Sequence, residues 1–323
     1  MVRCADFYAK WERDPNWCEK CRTAVIQINE YIDLVADLEE KGIDKDVTYV
    51  TLPENAARPL FGIRNDEKRA KAISHVENAL TRKTPTGGQY TKKLTKSDVE
   101  KIVRDIDREE RRAELVARAE EVAALPDTIQ VHHANFLTDY HILGAGTIDC
   151  IITDPPYVKE WLGNFEAFAA AAEHVLKPGG FLITYLGHIH LDQIMAQMTP
   201  YLDYYWMAVL KHAGTTAAVH SRSVTCGYKP ILILQKPPRT KPKRYFCDVI
   251  LGTGREKDAH EWQQGEEELR QLFEPFTDPG DTVLDPFMGS GTTIAMAKKM
   301  NRRAIGFDID GDNVAIVTAR VSA

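Results

Sequence analysis

The chain has 323 residues, 44% hydrophobic and 27% charged, the balance of an ordinary globular protein long enough for two domains. The charged N-terminus MVRCADFYAKWERD, the lack of any apolar run near the ~18 residues that span a bilayer, and six scattered cysteines exclude secretory, membrane and disulfide-framework classes. A cytoplasmic chain with reduced thiols is expected, and 41 Lys+Arg against 47 Asp+Glu, a net charge of −6, leave no overall basic footprint for nucleic acid.

Charge density divides the chain. Residues 1–127 hold 48 charged side chains, whereas the longer stretch 128–323 holds 40. In the first part, TAVIQINEYIDLVADLEEKG (23–42) sets Val25, Ile28, Ile32, Val35 and Leu38 at helical spacing, with Gly42 placed to end the helix. NDEKRAKAISHVENALTRK (65–83) repeats the pattern with Ala70, Ile73, Val76 and Leu80, and the Gly-containing link TPTGGQY follows. A third helix begins with Thr95 or Ser97 as N-cap and runs toward Pro126. These spacings predict a mainly helical domain over 1–127.

The second part alternates β-rich and helical segments. Strands are predicted at TIQVHHA (128–134), TIDCIIT (147–153), GFLITYL (180–186), YYWMAVL (204–210), KPILILQK (229–236), TVLD (282–285) and RRAIGFD (302–308). A helix is predicted over FEAFAAAAEHVLKPGG (165–180), stopped by its Pro-Gly-Gly. This alternation predicts an α/β domain over 128–323: a doubly wound, mostly parallel, Rossmann-like sheet of seven strands.

Two motifs stand at strand ends, where a doubly wound sheet builds its ligand crevice. Asp154-Pro155-Pro156-Tyr157 follows the apolar strand IDCIIT. Its two prolines fix the backbone and leave carbonyls with no neighbouring N–H. By itself it also reads as a strand-ending turn. In DTVLDPFMGSGTTIAMAKKMNRRAIGFDID (281–310), a strand ends at Asp285, the turn Gly289-Ser290-Gly291 follows, Thr292-Thr293 opens a helix, and the next strand ends at Asp308. Glycines admit close ligand approach, a helix N-terminus favours negative charge, and a strand-end carboxylate suits ribose hydroxyls. No GxGxxG is present and no Lys follows the glycines, so neither a dinucleotide fingerprint nor a P-loop is indicated.

DPPY together with DPFMGSGTT resembles the S-adenosylmethionine-dependent DNA amino-methyltransferases, which methylate adenine N6 or cytosine N4. The resemblance covers about 128–323. DPPY precedes the glycine motif, the order of the circularly permuted, β-type members; relatives acting on RNA or release factors usually show the reverse. The resemblance implies S-adenosyl-L-methionine as cofactor and double-stranded DNA as partner. It implies that Asp154, Pro155, Pro156 and Tyr157 are catalytic: Asp154 and the Pro155 carbonyl accept the target amine's hydrogens and Tyr157 stacks on the flipped base. It implies that Asp285 accepts from the cofactor's ammonium group. Pro286, Phe287, Gly289, Ser290 and Gly291 form the close turn, and Thr292 and Thr293 lie near the cofactor's carboxylate. Asp308 takes the ribose hydroxyls with Ile309 against the adenine, and His260 and Trp262 contact the methionine moiety. Where members often carry Gly-Asp after the strand before DPPY, this chain has Ala134-Asn135; Asn135 accepts a hydrogen bond there without a charge.

Aspartate at the first position of DPPY is commoner in adenine-specific members, so adenine N6 is the expected target. Cytosine N4, a non-catalytic DNA-binding protein and RNA methylation are the alternatives. KPPRTKPKRYF (236–246) has five basic residues and no acidic one, and Lys236, Arg239, Lys241, Lys243 and Arg244 are expected to contact DNA phosphates. The stretch 213–229 reads as a loop on the DNA side. The run LPENAARPL…DEKRAKAI…TGGQYTKKLTKSDVEKIV, near the basic Arg82, Lys83, Lys92, Lys93 and Lys96, resembles helical segments of phage and plasmid ParB-like proteins. The helical domain is therefore expected to be a DNA- or partner-binding accessory, with a purely structural role as the alternative. A homodimer and a cognate restriction or phage/plasmid partner complete the expected associations, and a membrane does not. Cys18-x-x-Cys21 with Cys4 is half a zinc pattern with no fourth ligand nearby, and His188-x-His190 is an isolated pair, so no metal is assigned.

Overall fold

The computed structural model describes the chain over residues 19–40, 43, 52–83, 89–91, 93–119, 125–157, 159–211, 217–252 and 266–322. Two compact units divide it, Met1–Ala113 and Glu114–Ala323.

The first unit holds α1 (Glu19–Glu40), α2 (Glu54–Phe61), α3 (Asp66–Leu80) and α4 (Lys96–Ala119) as far as Ala113, with a short hairpin of β1 (Thr81–Lys83) and β2 (Gln89–Thr91) between α3 and α4. The buried stripe of α1 is Tyr31, Leu34, Val35 and Leu38, displaced from the expected one because Ile32 is only half-buried. Tyr31 is buried because its hydroxyl donates to the Leu52 carbonyl at 2.7 Å. On α3, Ala72 is buried in place of Ala70. Thr95 caps α4: its Oγ1 accepts from Asp98 N at 3.2 Å, and Asp98 Oδ2 accepts from Thr95 N at 2.7 Å. Gly42, and the side chains of Val25, Ile28, Arg82, Lys83 and Lys92, lie outside the described residues.

The second unit is built on an eight-stranded sheet in the order β10–β6–β9–β5–β4–β11–β12–β3. These are β3 (Ile129–His133), β4 (Ile148–Thr153), β5 (Leu176–Tyr185), β6 (Asp203–Lys211), β9 (Tyr228–Gln235), β10 (Val249–Leu251), β11 (Thr282–Asp285) and β12 (Arg303–Asp308). All pairings are parallel except those of β9 with β5 and β6. The doubly wound sheet is the expected one, with an added edge strand. β10 is only Val-Ile-Leu with Ile250 alone buried, too short to give a pattern. A small hairpin, β7 (Ala217–Val219) with β8 (Val224–Cys226), stands where a loop was expected.

Alternation along the central strands fills two cores. Cys150, Ile152, Ile183, Ile231 and Ile233 face one cluster, with Phe273, Ile294 and Val317 from α8 (Glu266–Phe276), α9 (Thr292–Lys299) and α10 (Gly311–Ser322). Ile151, Leu182, Leu232 and Leu234 face the other, with Phe136 of α5 (Phe136–Asp139), Phe168 of α6 (Phe165–Val175) and Ile194 of α7 (Leu191–Met198). A sheet covered on both faces explains why its strands read as continuous apolar runs. α6 ends at Val175, earlier than expected, because Lys177-Pro-Gly-Gly enters the irregular start of β5; Gly179 is at φ 79°.

Candidate active site

Two strand ends meet at the middle of the sheet's carboxyl edge. β4 and β11 are parallel neighbours, paired through Cys150–Val283 and Ile151–Leu284. Thr153 Oγ1 donates to Asp285 Oδ1 at 2.7 Å, and Phe287 N donates to the same oxygen at 3.2 Å. Asp285 is 4% exposed. Burial pushes its carboxyl up to about 6, against hydrogen bonds from Thr153, Thr293 and Phe287 N that favour the ionised form, and nearby Asp154 adds repulsion. A buried carboxylate of this kind gains from a cationic partner.

Past Thr153 the chain turns through Asp154, a buried Pro155, and exposed Pro156 and Tyr157. Asp154 Oδ2 accepts from Lys229 Nζ at 2.7 Å. The same ammonium lies over the ring of Tyr157, 4.6 Å from its centroid, and over Tyr185 at 4.9 Å. Lys229 reaches this edge because β9 runs antiparallel, bringing its first residues to the carboxyl ends of its neighbours.

Two cavities open here. One is lined by Thr153, Asp154, Tyr185, Asp285 and the turn 287–290, with Thr292 and Thr293. The other, about 480 Å³ and largely apolar, is lined by Tyr157, Leu186, His188, Tyr228 and Lys229 among others. The Asp154–Lys229 pair belongs to both, one member to each. Tyr185 is 1% exposed, its hydroxyl has no hydrogen-bond partner among the described residues, and burial, with Asp154 second, holds the phenol well above its usual range.

The glycine turn divides its labour. Gly289, at φ 49°, has open space where a Cβ would stand, and its N donates to Asp308 Oδ2 at 2.9 Å. Gly291, at φ 75°, would place a Cβ 2.5 Å from Val317 Cγ2, so it serves the packing of α10 on the turn and not ligand approach. It is also the N-cap of α9, with no side-chain cap, and Thr292 and Thr293 in the first turn of that helix line the cavity. Pro286 and Thr293 are buried, Phe287 packs edge-on against Trp161 at 5.2 Å and Phe168 at 5.3 Å, and Ser290 O and Thr292 Oγ1 accept from Arg320 at 3.1 and 3.4 Å. Asp308 Oδ1 accepts from Asp310 N at 2.9 Å, and Ile309 is 74% exposed. Asn135 sits beside them after β3, but its Oδ1 caps α5 by accepting from Leu137 N at 3.1 Å. His260 and Trp262 lie outside the described residues, as do Cys4 and Cys18.

Among the described residues, then, the structure brings together DPPY, the 285–293 turn, Asp308, Ile309 and Asn135. It does not bring the five basic residues to them. β9 ends at Gln235, opposite Phe181 of β5 and Asp203, the first residue of β6, so the run 236–246 leaves from the amino edge of the sheet, opposite the cavities. Lys236 pairs with Glu173 at 3.1 Å, Arg239 donates to Tyr204 O at 2.8 Å, and Arg244 and Lys243 meet Asp278 at 2.8 and 3.7 Å. Lys241 is exposed on the same edge. The run therefore stands apart from the two cavities because of strand direction, which composition does not report.

Sequence reasoning passed over Thr153, Tyr185 and Lys229. Each sits in a segment read correctly as a strand, and a polar residue at a strand end carries no signal until its neighbour in the sheet is known. Among the described residues, no group of three or more His, Cys, Asp or Glu could hold a metal ion, and no helix is long and apolar enough to cross a membrane.

The sequence model of a family described as DNA methylase matches residues 148–319. YubD of Escherichia coli (strain K12), named as a methylase, is 28% identical over 184 residues, covering 50% of this chain and 76% of that protein. Type II methyltransferase M.HpaI of Haemophilus parainfluenzae is 24% identical over 220 residues, covering 56% of this chain and 70% of the relative. Among solved structures, the cytosine-N4-specific PvuII DNA methyltransferase shares the fold with a TM-score of 0.53 at 17% identity, over 62% of this chain and 89% of its own.

Proposed function

The chain belongs to the N6/N4 family of S-adenosylmethionine-dependent DNA methylases, and from that premise we propose that it methylates the exocyclic N6 of adenine in duplex DNA. The observation that carries amine methylation is the meeting of Asp154 with buried Asp285 at adjacent strand ends, joined through the Thr153–Asp285 hydrogen bond of 2.7 Å; the choice of adenine rests on the aspartate that opens DPPY. That juxtaposition sets an acceptor for a nucleophilic amine beside a cavity suited to a cationic methyl donor.

Two observations support the fit of S-adenosylmethionine. Asp285, pushed up to about 6 by burial, is held ionised by an ammonium group, and the buried Tyr185 hydroxyl gains the partner it lacks among the described residues. The open space at Gly289 admits a ligand against the backbone, and the Asp308 carboxylate accepts hydroxyls on its remaining lone pairs. Ile309 lies at the rim as an apolar contact, and Asn135, His260 and Trp262 are assigned to the same ligand. The cofactor supplies a methyl group already activated on a sulfonium.

What remains for the protein is alignment and electrostatics. An exocyclic amine is a poor nucleophile because its lone pair is delocalised into the ring. Donating its two hydrogens to the Asp154 carboxylate and the Pro155 carbonyl localises that pair, and the two prolines hold these acceptors rigidly. Positioning of this sort contributes roughly 7–11 kcal/mol. A base within a duplex cannot reach the site, so it is flipped out, and Tyr157, 48% exposed at the mouth of the apolar cavity, is the stacking surface. The helical unit is the accessory module, for DNA or a partner.

Transfer of labelled methyl from S-adenosylmethionine to duplex DNA, with nucleoside analysis, tests the reading. N6-methyladenine is the expected product, N4-methylcytosine supports the second reading, and label in RNA alone overturns both. Asp154→Ala is expected to abolish turnover while cofactor binding persists. Tyr157→Ala is expected to weaken base binding, read as a raised KM for DNA.

A further inference from the structure

Lys229 has no role in the mechanism so far, yet it occupies the border between the two cavities. Its ammonium is 2.7 Å from Asp154 Oδ2 and lies over the faces of Tyr157 and Tyr185. The side chain is 23% exposed, is carried by β9 and lines the apolar cavity together with Tyr157. An ammonium has three N–H donors, and Asp154 accepts one of them here.

We infer that Lys229 is a specificity residue that donates a hydrogen bond to the ring nitrogen beside the target amine: N1 of adenine, or N3 of cytosine. The inference rests on the proposed DNA-methylating function and concerns the base edge alone. Adenine and cytosine both present an amine donor next to a ring-nitrogen acceptor. Guanine and thymine present the reverse pattern, a carbonyl oxygen next to a ring N–H. An acceptor and a donor side by side, Asp154 and Lys229, complement the first pattern and oppose the second at both positions. A mismatched edge would leave the Asp154 carboxylate facing a carbonyl and the Lys229 ammonium facing an N–H, each unpaired in a partly desolvated pocket. In the absence of a base, the pair satisfies itself and the ammonium rests on the tyrosine faces, from which a base stacking on Tyr157 draws it to the ring nitrogen.

The test uses a duplex carrying the chain's own methylation site, found by mapping methylated positions in treated plasmid DNA. In one version the target adenine is replaced by 1-deazaadenine, which keeps the amine and puts C–H in place of N1. Wild-type kcat/KM is expected to fall about tenfold to a hundredfold on the analogue, the worth of a hydrogen bond from a charged donor. Lys229→Met should lose a similar factor on adenine and show no further loss on 1-deazaadenine. Lys229→Gln, which keeps a donor, should retain part of the discrimination. Dissociation constants for the two duplexes should follow the same pattern without turnover. The weaker pairing of 1-deazaadenine in the duplex affects wild type and variants alike, so the comparison isolates Lys229. Equal wild-type activity on the two duplexes, or equal discrimination by wild type and Lys229→Met, would overturn the inference. Failure of the wild type to methylate the unmodified duplex would instead overturn the function on which it rests.

Discussion

Asp285 shows how one residue trades stability for binding. Its folded carboxyl lies at about 6 against an ordinary 3.8, chiefly through burial. A raised carboxyl is bound more tightly to its proton in the folded state, so stability is lost as pH climbs from about 4 to about 6. Two units correspond to about 3 kcal/mol. Asp285→Asn removes the buried charge while leaving an acceptor for Thr153 and Phe287 N. The variant is expected to melt several degrees above wild type at pH 8 without ligand, and to lose cofactor binding by calorimetry. For the wild type, cofactor affinity is expected to be highest near pH 7, to decline above about 8 as the cofactor's α-amino group loses its proton, and to fall about tenfold per unit below about 6, as protonation of Asp285 removes the ammonium's partner. Flat affinity down to pH 5 would remove Asp285 as that partner.

At the scale of elements, the turn between β11 and α9 carries a constraint of its own. Gly291 combines a φ of 75° with a notional Cβ 2.5 Å from Val317, so Gly291→Ala incurs backbone strain and a clash with α10. About 2–4 kcal/mol of destabilisation is expected in urea unfolding. Gly289→Ala meets no such clash and should cost less stability, while crowding the cavity beside Asp285 that we assign to the cofactor. In the helical unit, the reciprocal Thr95–Asp98 bonds predict that Thr95→Ala lowers the stability of that unit by about 1 kcal/mol, measured by hydrogen exchange across α4. The difference between two glycines in one short motif was not legible beforehand: spacing showed a turn, and only the neighbouring helix showed which glycine answers to packing.

For the whole molecule, the net charge of −6 does not report on which side of the sheet basic residues stand, whereas strand direction does. The basic run 236–246 follows β9, the antiparallel strand of the eight-stranded sheet, and leaves from the edge opposite Asp154. Lys241→Ala with Lys243→Ala is therefore expected to leave DNA affinity and its salt dependence unchanged, whereas phosphate contacts would flatten the slope of log K against log salt by about one per residue lost. Most of the sheet was legible in advance. TVLD, IDCIIT and KPILILQK are short apolar runs bounded by turn residues, and a strand covered on both faces has to be written that way. DPPY and the Gly289–Gly291 turn were legible because a rigid acceptor and a close-approach loop depend on backbone chemistry local to a few residues. The alternating elements, the two motifs and their order are thus properties of the sequence alone. Which strand ends lie side by side is not, since neighbours in this sheet are far apart in the chain: Thr153 meets Asp285, and Lys229 meets Asp154. Only the tertiary structure decided that Lys229 stands at the site and the basic run does not, because reversing β9 exchanges the ends that its two flanks reach.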